Sequence, residues 1–201
     1  MLIQPEEDPE NLARFTEIFP AMVAVLKGAV DEENEDRVMQ AFEVFQTLLG
    51  CESALLNKHF KDLLTFMIDL AADTSITDES RTQALSFLMQ CARYRKMKIQ
   101  GIKDMGENLT IKAMQIATEI DDDEDEDDVT PHKTALGLLD LLATSLPPRQ
   151  VIVPLLAALP QYVNSEQPKY RQAGILSLGM CVEGAPDFIA TQLDGLMPIV
   201  L

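Results

Sequence analysis

Apolar residues recur at three- and four-residue spacing along most of the 201-residue chain. Nowhere do β-branched and aromatic residues alternate with polar ones for long, so the pattern predicts helices and no sheet. The helices are expected from Pro9 to Val30, Glu33 to Leu49, Ser53 to Ala72, Thr77 to Tyr94, Asp104 to Glu119, Pro131 to Ser145, Arg149 to Val163, Lys169 to Glu183, and from Pro186 onward. Ser53 and Asp78 are expected to cap the helices they precede, and Pro131 suits a first turn, where its missing N–H had no partner. Gly50 and Gly184 follow apolar helices and are expected to end them in a left-handed conformation.

Every second helix repeats a short motif: Gln40-Ala41-Phe42, Gln83-Ala84-Leu85, Thr134-Ala135-Leu136 and Gln172-Ala173-Gly174. The alanines are 43, 51 and 38 residues apart, and removing the eight acids from Asp121 to Asp128 returns the middle interval to 43. Three residues after each alanine stands Val44, Phe87, Leu138 or Leu176, and seven after it Leu48, Cys91, Leu142 or Met180, so each helix shows one apolar face. A small alanine lets helices approach closely. Arg37, Arg81, Lys133 and Arg171 lie two to four positions before the alanines, where the second helix of each pair begins.

A helix pair of forty-odd residues with this signature is the HEAT pattern. The expected fold is therefore an all-α HEAT-repeat solenoid, a right-handed superhelix of antiparallel helix pairs. The repeats are placed at about 9–50, 53–100, 104–146 and 148–184, with a partial one at 186–201 and the acidic run inside the third. One pair cannot bury both its faces, so solenoid ends need polar caps. Neither end shows one, and the chain is expected to be an excised segment of a longer solenoid.

Charge narrows the function. Sixteen basic residues stand against thirty-three acidic ones, a formal net charge of -17 at pH 7. Such a field opposes phosphate backbones and anionic lipid and attracts Lys/Arg-rich proteins, so neither nucleic acid nor membrane is an expected partner. The start, MLIQPEEDPE, lacks the basic and apolar regions of a secretory signal. Val151 to Val163 is too short to cross a bilayer. Cys51, Cys91 and Cys181 are too few and too scattered for a disulfide scaffold, and reduced, buried thiols in the cytosol or nucleus are expected.

Catalytic apparatus is not visible: GxxxxGK, HExxH, GxSxG and CxxC are all missing from the sequence. No catalytic residue, cofactor or metal is expected. His59, beside Lys58 and Lys61, is expected on a solvated face, and His132 opens the helix after the acidic run. Asp121, Asp123 and Asp125 alternate as in an EF-hand loop, but Glu126 stands where glycine is required and His132 where a bidentate glutamate belongs.

The candidate site is the run itself, Asp121, Asp122, Asp123, Glu124, Asp125, Glu126, Asp127 and Asp128. Like-charge blocks often serve as interaction segments, and this one is expected to raise the local concentration of lysine-rich ligands. Glu43 and Asp140, opposite the apolar stripes of their helices, are candidate contacts for lysine or arginine of an extended peptide.

The segment Thr130-Pro131-His132-Lys133-Thr134-Ala135, followed by Leu138-Leu139-Asp140-Leu141-Leu142-Ala143 and Leu146-Pro147-Pro148 and preceded by the acidic run, resembles the acidic-loop repeat of the importin-β (karyopherin-β) nuclear transport receptors. Tyr170-Arg171-Gln172-Ala173-Gly174 with Leu178-Gly179 and Val182-Glu183-Gly184 is similar to the next repeat. Val129 stands where importin-β has a tryptophan after its acidic stretch, so no loop contact through an aromatic anchor is implied. The resemblance implies a shuttling receptor of cytoplasm and nucleus that binds basic cargo such as histones H3 and H4 and ribosomal proteins. It also implies contact with FG nucleoporins and release of cargo by the Ran GTPase in its GTP form. The other reading is a HEAT-repeat scaffold subunit of a multiprotein assembly without transport activity.

Overall fold

The computed structural model describes residues 9–50, 56–121, 125, 127–192, 195 and 197. Helices make up the described secondary structure: α1 (Pro9–Asp31), α2 (Glu35–Gly50), α3 (Phe60–Ala72), α4 (Asp78–Tyr94), α5 (Lys96–Gly101), α6 (Met105–Ile116), α7 (Pro131–Ser145), α8 (Pro148–Val163), α9 (Pro168–Val182) and α10 (Pro186–Ala190). The chain divides into two compact units, residues 1–90 and 91–201.

In the first unit α1 packs on α2. Phe19, Phe45 and Phe87 run edge to face from α1 through α2 to α4, with ring centroids 6.1 and 6.2 Å apart. Such ring pairs add about 0.5–1.5 kcal/mol each beyond the apolar area they bury. His59 joins this row. Its ring stacks on Phe19 at 4.7 Å and its Nε2 lies 3.1 Å from the Thr16 carbonyl, so it is half-buried rather than on a solvated face. A flat aromatic surface beside a carbonyl oxygen satisfies both halves of an imidazole, its apolar face and its polar edge.

The second unit shows the stacking rule directly. Within pairs, α6 packs on α7 and α8 on α9; between pairs, first helix lies on first helix (α6 on α8) and second on second (α7 on α9). Ala84, Ala135 and Ala173 are fully buried within the first two turns of α4, α7 and α9. Ala41 occupies the same place on α2 and is half-buried. Phe87, Cys91, Leu138 and Leu142 are buried as the apolar pattern requires. Val44, Leu176 and Met180 are not, because among the described residues no element lies over those faces. On α2 the core is Val38, Phe42, Phe45 and Leu49 instead.

Several ends differ from expectation. Ser53 lies outside the described residues, and α3 starts only at Phe60 because the backbone around Leu56–His59 closes a tight turn, His59 N–H on Leu56 O at 3.1 Å. Asp78 is already helical; Thr77 is the cap, its Oγ1 accepting from Ser80 N–H at 3.4 Å. The short α5 carries one buried apolar residue, Ile99, too little to make a period.

No described glycine has positive φ; the left-handed residues are Glu33 (φ 50°) and Asp104 (φ 60°). Glu33 ends α1 with Asn34 N–H on Ala29 O and Glu33 N–H on Val30 O, both 3.0 Å, the paired bonds of a Schellman stop. Asn34 then caps α2, its Oδ1 accepting from Arg37 N–H at 3.1 Å. Gly184 is glycine for a different reason from the one expected: a Cβ there would sit 2.7 Å from the backbone carbon of Ala143 on α7.

Cys91 and Cys181 are free and buried, while Cys51 lies outside the described residues. Burial pushes both thiols up, Cys181 to about 12, with the Asp140 carboxylate adding to the effect.

Two outcomes follow from this packing. Gly184→Val should lose about 1–3 kcal/mol of unfolding free energy in a urea titration, whereas Gly179→Ala, whose new Cβ meets nothing within 4 Å, should be neutral or gain up to about 1 kcal/mol. Because an unfolded thiol loses its proton near pH 9.0 and folded Cys181 keeps it to about 12, stability should fall as pH rises across that interval. The fall should be less steep in Cys181→Ala, by about 1.4 kcal/mol per pH unit in that window.

Candidate functional site

The acidic run lies between α6 and α7, the two helices of one pair. α6 stops at Ile116 through three-residue turns, Thr118 N–H on Gln115 O and Glu119 N–H on Ile116 O, both 3.1 Å. Ile120, buried at 6% exposure, pins the entry to the run. Pro131 opens α7, with Thr130 Oγ1 and His132 Nδ1 3.0 Å apart and the His132 ring buried. Between these anchors Asp121, Asp125, Asp127 and Asp128 are exposed; Asp122, Asp123, Glu124 and Glu126 lie outside the described residues.

The end of the run is a knotted turn. Asp128 N–H donates to Asp125 O at 3.1 Å, and Asp125 N–H donates to the Asp128 carboxylate at 3.2 Å. Lys133, in the first turn of α7, donates from Nζ to the carbonyls of Asp125 (2.5 Å) and Asp128 (3.2 Å). Charge-assisted bonds of this kind are about twice as strong as neutral ones.

Lys133 is one of the four basic residues that recur ahead of the repeat alanines; three of them reach back to the linker of their own pair, and Arg81 reaches the last turn of the preceding helix. Arg37 Nη1 meets Glu32 at 2.5 Å. Arg81, only 3% exposed, donates from Nε to Ala71 O at 2.9 Å and from Nη1 to Asp78 at 3.1 Å. Arg171 Nη1 donates to the carbonyls of Ser165 (2.7 Å) and Glu166 (3.0 Å). The sequence shows these residues by position; only the coordinates give them a task.

Glu43 is exposed on α2 in the first unit, and Asp140 is half-buried on α7 in the second, near the Cys181 thiol. The sequence reading missed a cleft of about 210 Å³ in the first unit, lined by Asp31, Asp69 and Asp73 with Lys27 over Val30, Phe66, Leu70 and Ile76. Hydrogen bonds from Ser75, side chain first and then backbone, hold the Asp73 carboxyl below its usual range. Three aspartates scattered over two helix ends leave no local signal in a sequence.

Among the described residues, no group of three or more His, Cys, Asp or Glu side chains could hold a metal ion. No described helix is long and apolar enough to cross a membrane.

Paired helices stacked first on first and second on second, with one long acidic connection, define a helical-repeat protein of the HEAT-solenoid class. A sequence-family profile described as "IPO5-like, TPR repeats" matches residues 1–66. The "Probable importin subunit beta-4" of Schizosaccharomyces pombe is 36% identical over 183 residues, covering 90% of this chain and 17% of that protein. Importin-4 of Mus musculus is 26% identical over 201 residues, covering 92% of this chain and 18% of that protein. Kap121p bound to RanGTP superposes with a TM-score of 0.81 at 19% identity, over 96% of this chain and 20% of that one. Kap121p bound to Nup53p gives 0.80 at 20% identity, over 92% and 19%.

The chain belongs to the importin-β family, and it spans 17% and 18% of the length of those two importins. The profile speaks of TPR repeats, which run to about 34 residues. The 43 residues from Ala41 to Ala84 fit HEAT spacing.

If Lys133 holds the turn, Lys133→Gln should speed amide exchange at Asp125 and Asp128 about five- to tenfold with little change in global stability, the loss of one or two charge-assisted bonds. Unaltered exchange would show that the turn stands without it.

Proposed function

We propose that this chain is a cargo-binding and regulatory segment of a nuclear import receptor that captures basic protein segments without covalent chemistry. The observation that carries this reading is the acidic connection between α6 and α7, with its carboxylates exposed at Asp121, Asp125, Asp127 and Asp128 and its far end tied down by Lys133. Tethering matters because a carboxylate cluster anchored at both ends loses less freedom on meeting a ligand than a free tail does. The net charge of -17 draws lysine-rich chains toward it from a distance. Glu43 and Asp140 serve as further contacts by this reading, and the cleft lined by Asp31, Asp69 and Asp73 belongs to the same acidic surface chemistry.

The partners are then basic cargo such as histones H3 and H4 and ribosomal proteins, Ran in its GTP form, and FG nucleoporins. The receptor shuttles between cytoplasm and nucleus. Kinship with importins supports the transport role, and the structures of Kap121p with RanGTP and with Nup53p support the regulatory and nucleoporin contacts.

A labelled histone H3 tail peptide titrated into the full 201-residue chain should bind more weakly as salt is raised. Replacing Asp121 to Asp128 by Ser and Asn should cost about tenfold in affinity or more. Binding indifferent to salt, or unchanged by neutralising the run, overturns the reading. Capture of a phosphatase subunit in place of RanGTP and FG peptides would instead support the scaffold alternative.

A further inference from the structure

From Ser80 to Lys103 the chain has no Asp or Glu, although acids make up thirty-three of its 201 residues. Within that stretch Arg93, Arg95, Lys96 and Lys98 fall in six positions, interleaved with Tyr94 and Met97. All six belong to the second unit, at the junction of α4 and α5. Tyr94 and Met97 are 65% and 71% exposed, among the largest exposures of any apolar side chain described. Arg93, Lys96 and Lys98 are exposed and make no ion pair among the described residues.

This strap is held firmly from beneath. Arg95 N–H donates to Cys91 O at 2.8 Å, and Ile99 is fully buried. Gln100 donates from its side chain to Ser145 O at 3.2 Å, while Gln150 donates to Gln100 O at 3.0 Å, so two glutamines clasp α5 to the α7–α8 turn. Exposed apolar groups normally scatter singly over a surface. Here two of them are fixed among four cations on a backbone that is already ordered.

We propose that Arg93–Lys98 is a docking surface for an acidic protein segment that intersperses carboxylates with apolar or aromatic side chains. The cations attract the carboxylates, Tyr94 and Met97 take the apolar side chains, and the clasped backbone leaves little further ordering for association to overcome. A nucleic acid fits less well. Its evenly charged backbone would extend past the strap into a protein of net charge -17, and it offers no apolar group in register with Met97. The proposal does not rest on basic-cargo capture, since it concerns the opposite charge on a different element.

The test uses the full chain with two labelled probes, a short synthetic peptide alternating Glu with Leu and Phe, and a short DNA duplex. The peptide should bind saturably and more weakly in high salt. Arg93→Glu, Lys96→Glu and Lys98→Glu together should weaken it about tenfold or more, and Tyr94→Ser with Met97→Ser should weaken it at constant charge. Binding of the histone H3 tail peptide should not fall in either variant, which separates this proposal from the previous one. Failure of the acidic peptide to bind, affinity unchanged by the charge reversal, or a preference for the duplex lost on charge reversal each overturns the proposal.

Discussion

An amphipathic helix pair has more apolar surface than its two members can hide from water, and this surplus governs the molecule. In the second unit the surplus is absorbed by layering, α6 on α8 and α7 on α9, so each helix has both a partner in its own pair and a neighbour in the next. The close points of that layering are small residues. Ala135 and Ala173 are fully buried, and Gly174 faces Tyr162 so tightly that a Cβ would come within 2.7 Å of the tyrosine Cβ. Where no described element covers a layer, the same apolar positions stand in water, as at Val44, Leu176 and Met180.

Layering fixes the helices but not the linkers, which carry unpaired carbonyls at every reversal. A cation early in the second helix meets this need at Arg81, Lys133 and Arg171, while Arg37 pairs with the Glu32 carboxylate instead. Arg81 shows how demanding the arrangement is, since its guanidinium is almost wholly removed from water and relies on Ala71 O and Asp78. In the repeat with the acidic connection the same position is Lys133. A compact ammonium with three donors can gather converging carbonyls, which suits a turn whose side chains are themselves carboxylates. By binding the backbone of Asp125 and Asp128 it neutralises part of the local repulsion while both residues stay exposed.

Period and spacing are enough to read most of the helices and, in the second unit, the packing of α6 on α7 and of α8 on α9, because both follow from which positions must be apolar. Pro131–Ser145 is predicted to the residue. Ends were less legible, since a stop depends on bonds a few residues away. Glu33, expected to open the second helix, instead takes a left-handed conformation that stops the first, because two Schellman bonds and the Asn34 cap outweigh its steric cost. His59 was misplaced for a related reason: its neighbours Lys58 and Lys61 suggest a wet face, while the Phe19 ring that shelters it lies forty positions earlier in sequence. The acidic run was visible as composition, but its tether was not. The cleft lined by Asp31, Asp69 and Asp73 needed coordinates altogether.

Charge is distributed here by segregation more than by pairing. The chain holds thirty-three acids and sixteen bases, and exposed pairs such as Arg14 with Glu10 and Arg37 with Glu32 are short in sequence range. Such surface pairs contribute little to stability, so little is lost by leaving charges apart. What segregation provides is local potential: one connection is dense in carboxylates, and the strap lies in a stretch of twenty-four residues, Ser80 to Lys103, that has none. Neutralising each against the other within the chain would erase both fields. Kept apart on ordered supports, Lys133 beneath one and the Gln100–Gln150 clasp beneath the other, they can meet partners of opposite character without competing for them.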